Sequence, residues 1–304
     1  LPEPVGFISK IQKYATKDGP GLRSTVFMVG CNLRCQWCAN PELIEPGPKI
    51  LYFASRCQQC GTCVRIAANG SIQFSADACQ IDRQRCTNLE KCLDACPYEA
   101  YEKVGIEISA TELHHKLLRD REFYATSGGG VTFSGGEPGL QAEFVAAVAQ
   151  RLRADGIPVA LDTAGLLNWE KLAPLLETVD LVLYDLKAFD STIHSRCTGV
   201  DNRLILENAR RIAENGKAMF VRMVLVPGLN DDLNDVEARL RFIQSLGPAV
   251  RRVDILKYHK LGVGKYTSLG IPYALADTPL CSDAYITQVE QKALALGGNV
   301  VIND

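Results

Sequence analysis

The chain has 304 residues, 47% hydrophobic and 22% charged, which is enough apolar material for a large core and excludes a disordered sequence. A formal net charge of −2 with no Lys/Arg run argues against a nucleic-acid partner, and no stretch approaches the roughly 18 apolar residues of a membrane span. Of 12 cysteines, ten fall between Cys31 and Cys96 and only Cys197 and Cys281 lie beyond; the N-terminal residues lack the zones of an export signal, so a cytoplasmic location is expected, where such clustering reads as metal binding rather than a disulfide scaffold.

Residues 25–30 (TVFMVG) read as a buried strand running straight into the first cysteines. Residues 50–104 hold seven cysteines, no long helical period and no clear β/α unit. So short a segment has little core of its own, and its fold is expected to depend on metal. From Ile108 the pattern becomes regular. Ser109 followed by Glu112 predicts a capping box opening a helix through Tyr124. Strands are predicted at 131–135, 159–163, 181–186, 218–226 and 253–259, and helices at 141–154, 168–177, 202–215, 232–246 and 283–296.

Nearly all-apolar strands separated by amphipathic helices imply a parallel sheet covered on both faces. With the strand at 25–30 they make about six β/α units. The fold class is α/β: a partial, open (β/α)6 barrel spanning 1–49 and 105–304, interrupted by a small inserted domain at 50–104, with a doubly wound sheet as the alternative. Either architecture gathers functional residues past the C-terminal ends of strands. Cys31, Gly135-Gly136-Glu137-Pro138, Asp162, Asp185, Arg222 and His259 fall there.

The run GCNLRCQWCANPE spaces Cys31, Cys35 and Cys38 as C-x3-C-x2-C. Three thiolates so spaced can wrap one cubane iron–sulfur cluster and leave its fourth iron without a protein ligand, the open position that separates catalytic from structural metal sites. A structural zinc site or three core cysteines are the alternatives. With Trp37 before the last cysteine, the motif resembles the signature of the radical S-adenosylmethionine (SAM) superfamily. Gly135-Gly136-Glu137-Pro138 resembles that superfamily's GGE motif, which contacts the SAM amino group. The resemblance implies that Cys31, Cys35 and Cys38 hold a 4Fe-4S cluster whose open iron is chelated by the methionyl amine and carboxylate of SAM. One electron then breaks the S–C5′ bond to give methionine and a 5′-deoxyadenosyl radical. The cofactor carries the reactivity; the protein supplies orientation and dryness.

Asp18-Gly19-Pro20-Gly21-Leu22-Arg23 lies just ahead of the first strand. Together with TSGGGVTFSGGEP (126–138), YDLKAFD (184–190), TGVDN (198–202), VRMVLVPGLND (221–231) and YHKLGVGKY (258–266), it resembles the glycyl-radical-enzyme activating enzymes, the group typified by pyruvate formate-lyase activase. That resemblance implies an oxidoreductase that takes a hydrogen atom from one backbone glycine of a partner glycyl radical enzyme. Glycine suits the task, having no side chain to block approach and a backbone that adopts conformations closed to other residues. The resemblance further implies a monovalent cation (Na or K) at Asp162, Thr163, Asp185 and the Leu183 carbonyl, although Asp162 and Asp185 also suit loop caps. It implies Lys187, Arg222 and His259 as anchors for the SAM carboxylate and ribose, His259 having a structural role as its alternative. Asp18 and Arg23 are then candidates to meet the incoming glycyl loop.

In the insertion, Cys57-x2-Cys60-x2-Cys63 resembles the start of a bacterial ferredoxin repeat, and Cys92-x3-Cys96-Pro97 the end of a second. Crossed ligation between the repeats implies one complete set: Cys57, Cys60, Cys63 and Cys96. The other set is incomplete, because Ala67 and Ala68 stand where the first repeat should end and Leu89 at the middle of the second. Cys79, Cys86 and Cys92 are left for a second auxiliary cluster with a nonstandard fourth ligand, a three-iron cluster or another metal, or are partly free. One or two auxiliary 4Fe-4S clusters are thus expected, to relay electrons from a flavodoxin or ferredoxin, to brace the fold or to dock the partner. Cys197 and Cys281 read as buried apolar residues. A radical peptide maturase, an iron–sulfur electron-transfer protein and a zinc-dependent interaction module are the competing functions. The insertion favours partners acting on diol, choline, sulfonate, amino-acid or arylacetate substrates over pyruvate formate-lyase.

Overall fold

The computed structural model describes residues 2–75, 79–296 and 300–303. In chain order the strands are β1 (Val5–Ala15), β2 (Arg23–Met28), β3 (Lys49–Tyr52), β4 (Ile72–Phe74), β5 (Cys79–Ile81), β6 (Tyr101–Val104), β7 (Ile106–Ser109), β8 (Gly130–Gly135), β9 (Val159–Thr163), β10 (Leu181–Asp185), β11 (Met219–Leu225), β12 (Val250–Lys257) and β13 (Val300–Asn303). Nine of them form one sheet in the order β13-β12-β11-β10-β9-β8-β2-β1-β7. From β2 to β13 every pairing is parallel, while β1 runs antiparallel to both β2 and β7. The α/β class with a mostly parallel sheet is as expected. Strand order follows chain order from β8 to β13 with no reversal, so the sheet lacks the switch point of a doubly wound fold.

The parallel strands form because they can bury both faces. Val159, Ala160 and Leu161 of β9, and Val182, Leu183 and Tyr184 of β10, are all buried. In β11 the alternation of the strand sorts side chains by face: Met219, Val221, Met223 and Leu225 join the main core, and Arg222 and Val224 turn to the other side. That core includes Phe144, Val145, Val148 and Leu152 of the helix Ala142–Ala154 together with Val131, Phe133 and Leu161 of the sheet.

The strand β1 was not expected, because its outer half carries Lys10, Gln12 and Lys13 and so lacks the continuous apolar run of a doubly covered strand. The short edge strand β13 was missed as well. The capping box is present, with Ser109 Oγ accepting from the Glu112 amide at 3.1 Å. The helix it opens ends at Leu118, however, and a second runs Arg121–Ser127. Asp120 sits at the break, buried, taking Lys13 Nζ at 2.8 Å and Ser24 Oγ at 3.1 Å. Two unforeseen short helices, Ser191–Thr198 and Val263–Leu269, bond to the loop after β2, Thr198 through the Arg34 amide and Tyr266 through the Cys38 carbonyl.

Residues 49–104 run strand, helix, strand, strand, helix, strand. β3 and β6 pair antiparallel, as do β4 and β5, and the helices are Thr62–Ala67 and Leu89–Ala95. They enclose an apolar cluster of their own that contains Ile50, Tyr52, Ile72, Tyr101, Cys79, Cys86 and Cys92. Arg83 ties this unit to the rest, donating to the Ile50 carbonyl and to the Ser268 carbonyl, each at 2.7 Å. No described helix is long and apolar enough to cross a membrane.

Candidate active site

A cavity of about 350 Å³ opens at the C-terminal ends of the parallel strands, lined among others by Cys31, Cys35, Trp37, Cys38, Asp18, Glu137, Asp162, Asp185, Arg222 and His259. The cysteine loop leaves β2 through Gly30, whose φ of +104° turns the chain. It is then pinned from three directions. The Gly30 and Cys31 amides donate to the Leu43 and Ile44 carbonyls at 2.8 Å, and the Arg34 and Gln36 amides to Thr198 and Cys197 at 2.8 and 3.0 Å. From the helix Val263–Leu269, Lys265 Nζ reaches Asn40 Oδ1 and the buried Glu42 carboxylate at 2.6 Å, and Tyr266 Oη donates to the Cys38 carbonyl at 3.1 Å.

All 12 cysteines are free thiols. Burial pushes the Cys31 thiol up to about 11 and the Cys38 thiol up to about 12, and it raises Cys35 as well. Without metal these three are neutral, and binding iron as thiolates must release protons. Three free thiols line this one cavity, and thiols are the donor type an iron–sulfur cluster takes.

The end of β8 is fused to the start of that loop. The Gly136 amide donates to the Met28 carbonyl at 2.9 Å and the Glu137 amide to the Gly30 carbonyl at 2.8 Å. A Cβ on Gly136 would lie 2.1 Å from the Gly30 carbonyl oxygen, so only glycine permits this approach. Glu137 is 1% exposed and its carboxylate accepts from Thr163 Oγ1 at 2.8 and 2.9 Å and from the Gly139 and Ala164 amides at 3.1 Å. Burial nevertheless pushes it up to about 7. Pro138 is buried at the start of a 3-10 turn and is not among the lining residues.

The same cavity holds a charge-balanced network. Arg222 bonds Asp162 and, at 2.9 Å, Asp185; Lys187 Nζ bonds Asp185 at 2.9 Å; Ser134 Oγ donates to Asp162 at 2.6 Å. Register explains the meeting, since Asp185 of β10 stands beside Arg222 of β11. Burial alone would raise Asp185, but Arg222 and Lys187 bring it down to about 2. Asp162, buried and facing the Asp185 charge, stays raised despite the shared guanidinium and the Ser134 hydroxyl. Burial works against the charge of Lys187 and of Arg222, yet their carboxylate partners hold both above their usual values. The Thr163 hydroxyl is given to Glu137, and the Leu183 side chain is buried away from the cavity lining.

His259 stands exposed at the rim, its Nδ1 accepting from the Leu261 amide at 3.4 Å. Asp18 lines the cavity, and its Oδ2 accepts from Thr25 Oγ1 at 2.6 Å. Arg23 does not line it. Its guanidinium is 2% exposed and donates to Thr132 Oγ1 and the Val131 carbonyl at 2.6 Å, and burial lowers it to about 10. It braces the 18–21 loop from beneath, so an incoming chain has no access to it. Polar lining residues not singled out from the sequence are Lys17, Asn40, Ser134, Asp254, Lys257 and Tyr258. Asp254 was legible in principle, as a carboxylate within the apolar run VDIL and in register with Arg222.

In the insertion, Cys57, Cys60, Cys63 and Cys96 line one small cavity, with Cys92 also on its wall. Cys60 is exposed, whereas Cys79, Cys86 and Cys92 are buried. Cys197 is fully buried beside Trp37 and Tyr258.

The family model described as Radical SAM superfamily matches residues 86–243. The chain is 35% identical over 296 residues to the (2S)-3-sulfopropanediol dehydratase activating enzyme of Klebsiella oxytoca, covering 95% of this chain and 93% of that one. It is 38% identical over 288 residues to the choline trimethylamine-lyase activating enzyme of Oleidesulfovibrio alaskensis, covering 93% of each. Among solved structures, a domain of a pyruvate-formate lyase-activating enzyme from Bacteroides vulgatus matches with a TM-score of 0.50 and 31% identity, over 58% of this chain and 100% of that one.

Proposed function

Because the chain belongs to the radical SAM superfamily and, within it, to the glycyl-radical-enzyme activating enzymes, oxidoreductases that use SAM cleavage to form a glycyl radical on a partner enzyme, we propose that the cavity over Cys31, Cys35 and Cys38 is where it acts. The observation that carries this assignment is three free thiols sharing one cavity with the Asp162–Arg222–Asp185–Lys187 network.

A 4Fe-4S cluster on the three thiolates, with SAM on its open iron, supplies the radical chemistry. This chain's residues bind and orient. Gly135, Gly136 and Glu137 would hold the amino end of SAM, with Pro138 setting the turn and Trp37 backing the cysteine loop. Arg222 and Lys187 would meet its carboxylate, and His259 its ribose at the rim. A ligand carboxylate suits this network, because Arg222 and Lys187 would turn to it while Asp162 and Asp185 remain to face the cationic groups of SAM. The same carboxylates, with Thr163 and the Leu183 carbonyl, are the seat we propose for a Na or K ion. Arg222 and Lys187 already neutralise both acids, so the ion would bind only as the SAM carboxylate draws those cations away. Asp18 is placed to meet the partner's glycyl loop, and Arg23 to hold the Asp18 segment.

We place residues 50–104 as a ferredoxin-like domain on the support of the strand–helix–strand–strand–helix–strand order and of four thiols around one cavity. Its auxiliary cluster would pass electrons from a flavodoxin or ferredoxin. The cytoplasm, where thiols stay reduced, is the compartment this chemistry fits. The partner is proposed among glycyl radical enzymes acting on small organic substrates, in keeping with the relatives named above.

Anaerobic reconstitution, reduction with dithionite and addition of SAM should yield 5′-deoxyadenosine, and Cys35→Ala should abolish it. With the cognate partner present, a glycyl radical should appear by electron paramagnetic resonance. A fully loaded, reducible protein that makes no deoxyadenosine would overturn the assignment.

A further inference from the structure

The insertion's seven cysteines divide unequally in space. Cys57, Cys60, Cys63 and Cys96 line one cavity, and Cys92 reaches its wall. Cys79 does not line that cavity; it enters β5 paired with Phe74 and is buried in the apolar cluster behind it, with Cys63, Cys57 and the Tyr52 hydroxyl as neighbours. Cys92 faces the first cavity while Cys86 stands apart from it. Cys86 lies on the wall of a separate cavity with Leu89 and Arg83, while Cys92 Sγ approaches the Cys63 carbonyl at 3.9 Å.

The two positions that would complete a set around Cys86 and Cys92 are apolar. Ala67 follows Cys63 by one turn on the helix Thr62–Ala67, is 3% exposed and sits in the same apolar cluster as Ile72 and Cys92. Leu89 opens the helix Leu89–Ala95 three residues before Cys92 and packs against that cluster too. Apolar side chains thus stand where thiolates are required, and the thiol that might compensate, Cys79, has Cys57 and Cys63 of the other set as its neighbours. Two sulfurs do not hold a cubane.

Resting on the reading of residues 50–104 as a cluster-bearing domain, we infer that this insertion holds one auxiliary four-iron cluster, on Cys57, Cys60, Cys63 and Cys96, and that Cys79, Cys86 and Cys92 are packing residues of its core. Electrons entering through the insertion then have a single station before the cluster at Cys31, Cys35 and Cys38, with its ligand Cys60 at the surface.

The test is iron and acid-labile sulfide per chain in the full-length protein after anaerobic reconstitution, with Mössbauer spectra to separate cubanes from loose iron. About 8 irons are expected, four per cubane. The Cys86→Ala/Cys92→Ala variant should keep about 8, and Cys57→Ala/Cys60→Ala should fall to about 4. A wild-type value of 11–12 cubane irons, or a loss of 3 or 4 in Cys86→Ala/Cys92→Ala, overturns the inference; so does a wild-type value of about 4 that Cys57→Ala/Cys60→Ala leaves unchanged. The wild-type count stands even if a variant misfolds. Deoxyadenosine formation is read separately, so failure of the activase assignment and failure of the cluster count are told apart.

Discussion

At the scale of single residues, Glu137 shows how one side chain is asked to do two things. Its backbone amide ties the end of β8 to the cysteine loop, and its carboxylate collects Thr163, Gly139 and Ala164 to position the end of β9. Burial raises its folded value from 4.5 to about 7. A carboxyl raised in the folded state stabilises the fold while it is protonated, and that contribution fades as pH climbs through the folded value. Between pH 6 and 8 the wild type should therefore lose about 1 kcal/mol that Glu137→Gln does not lose. Denaturant unfolding of both proteins at equal metal loading checks this; parallel pH profiles would show that the carboxyl stays ionised throughout. The glycines beside it carry the opposite lesson, since Gly136 is needed for the space a Cβ would occupy.

At the scale of elements, Arg222 is a tie between strands. It leaves the middle of β11 toward the cavity and bonds Asp162 on β9 and Asp185 on β10, with all three side chains less than a fifth exposed. Arg222→Met leaves two buried carboxylates with only Lys187 and Ser134 to answer them. Breaking a buried pair in this way costs about 3–5 kcal/mol. Stability should fall by that order, and KM for SAM should rise at least about tenfold, since a carboxylate anchor of ordinary charge-assisted strength is lost. Arg222→Lys should not restore KM, because one ammonium cannot span two carboxylates as the planar guanidinium does. A Met variant with unchanged KM would place the SAM carboxylate elsewhere. The strands themselves were legible in the sequence: 159–163 was predicted to the residue, and the other parallel strands from β2 to β12 to within three residues at either end. What escaped were β1, whose alternating polar residues suit an antiparallel strand with one exposed face, and the break at Asp120, which exists because Lys13 and Ser24 from distant segments converge on it.

At the scale of the whole molecule, the insertion is held to the sheet by few bonds. Arg83 bridges Ile50 and Ser268, and an apolar cluster of Val29, Leu43, Leu51, Val104 and Leu269 lies across the junction. Ser268 belongs to the helix that also clamps the cysteine loop through Lys265 and Tyr266. Arg83→Ala should speed hydrogen exchange in residues 263–270 and in β3 by about tenfold or more, since each lost hydrogen bond from a charged donor is worth roughly 1.5–3 kcal/mol net. Unchanged exchange in both segments would show that the apolar junction alone sets the position of the insertion.

Spacing and order along the chain were enough to reach the α/β class, the cysteine triplet, the glycine-rich strand end and, through family resemblance, the chemistry, because those signals are local: a thiolate triplet and a strand that must stop at glycine are written in consecutive residues. Other matters waited for the folded chain. Neighbours in space, not in sequence, put Arg222 between Asp162 and Asp185, buried Arg23 beneath the cavity rather than at its mouth, and brought Cys79 beside Cys57 and Cys63. Charge pairing and metal ligation depend on distance and on what water is excluded, and both are properties of packing between segments that lie far apart along the chain.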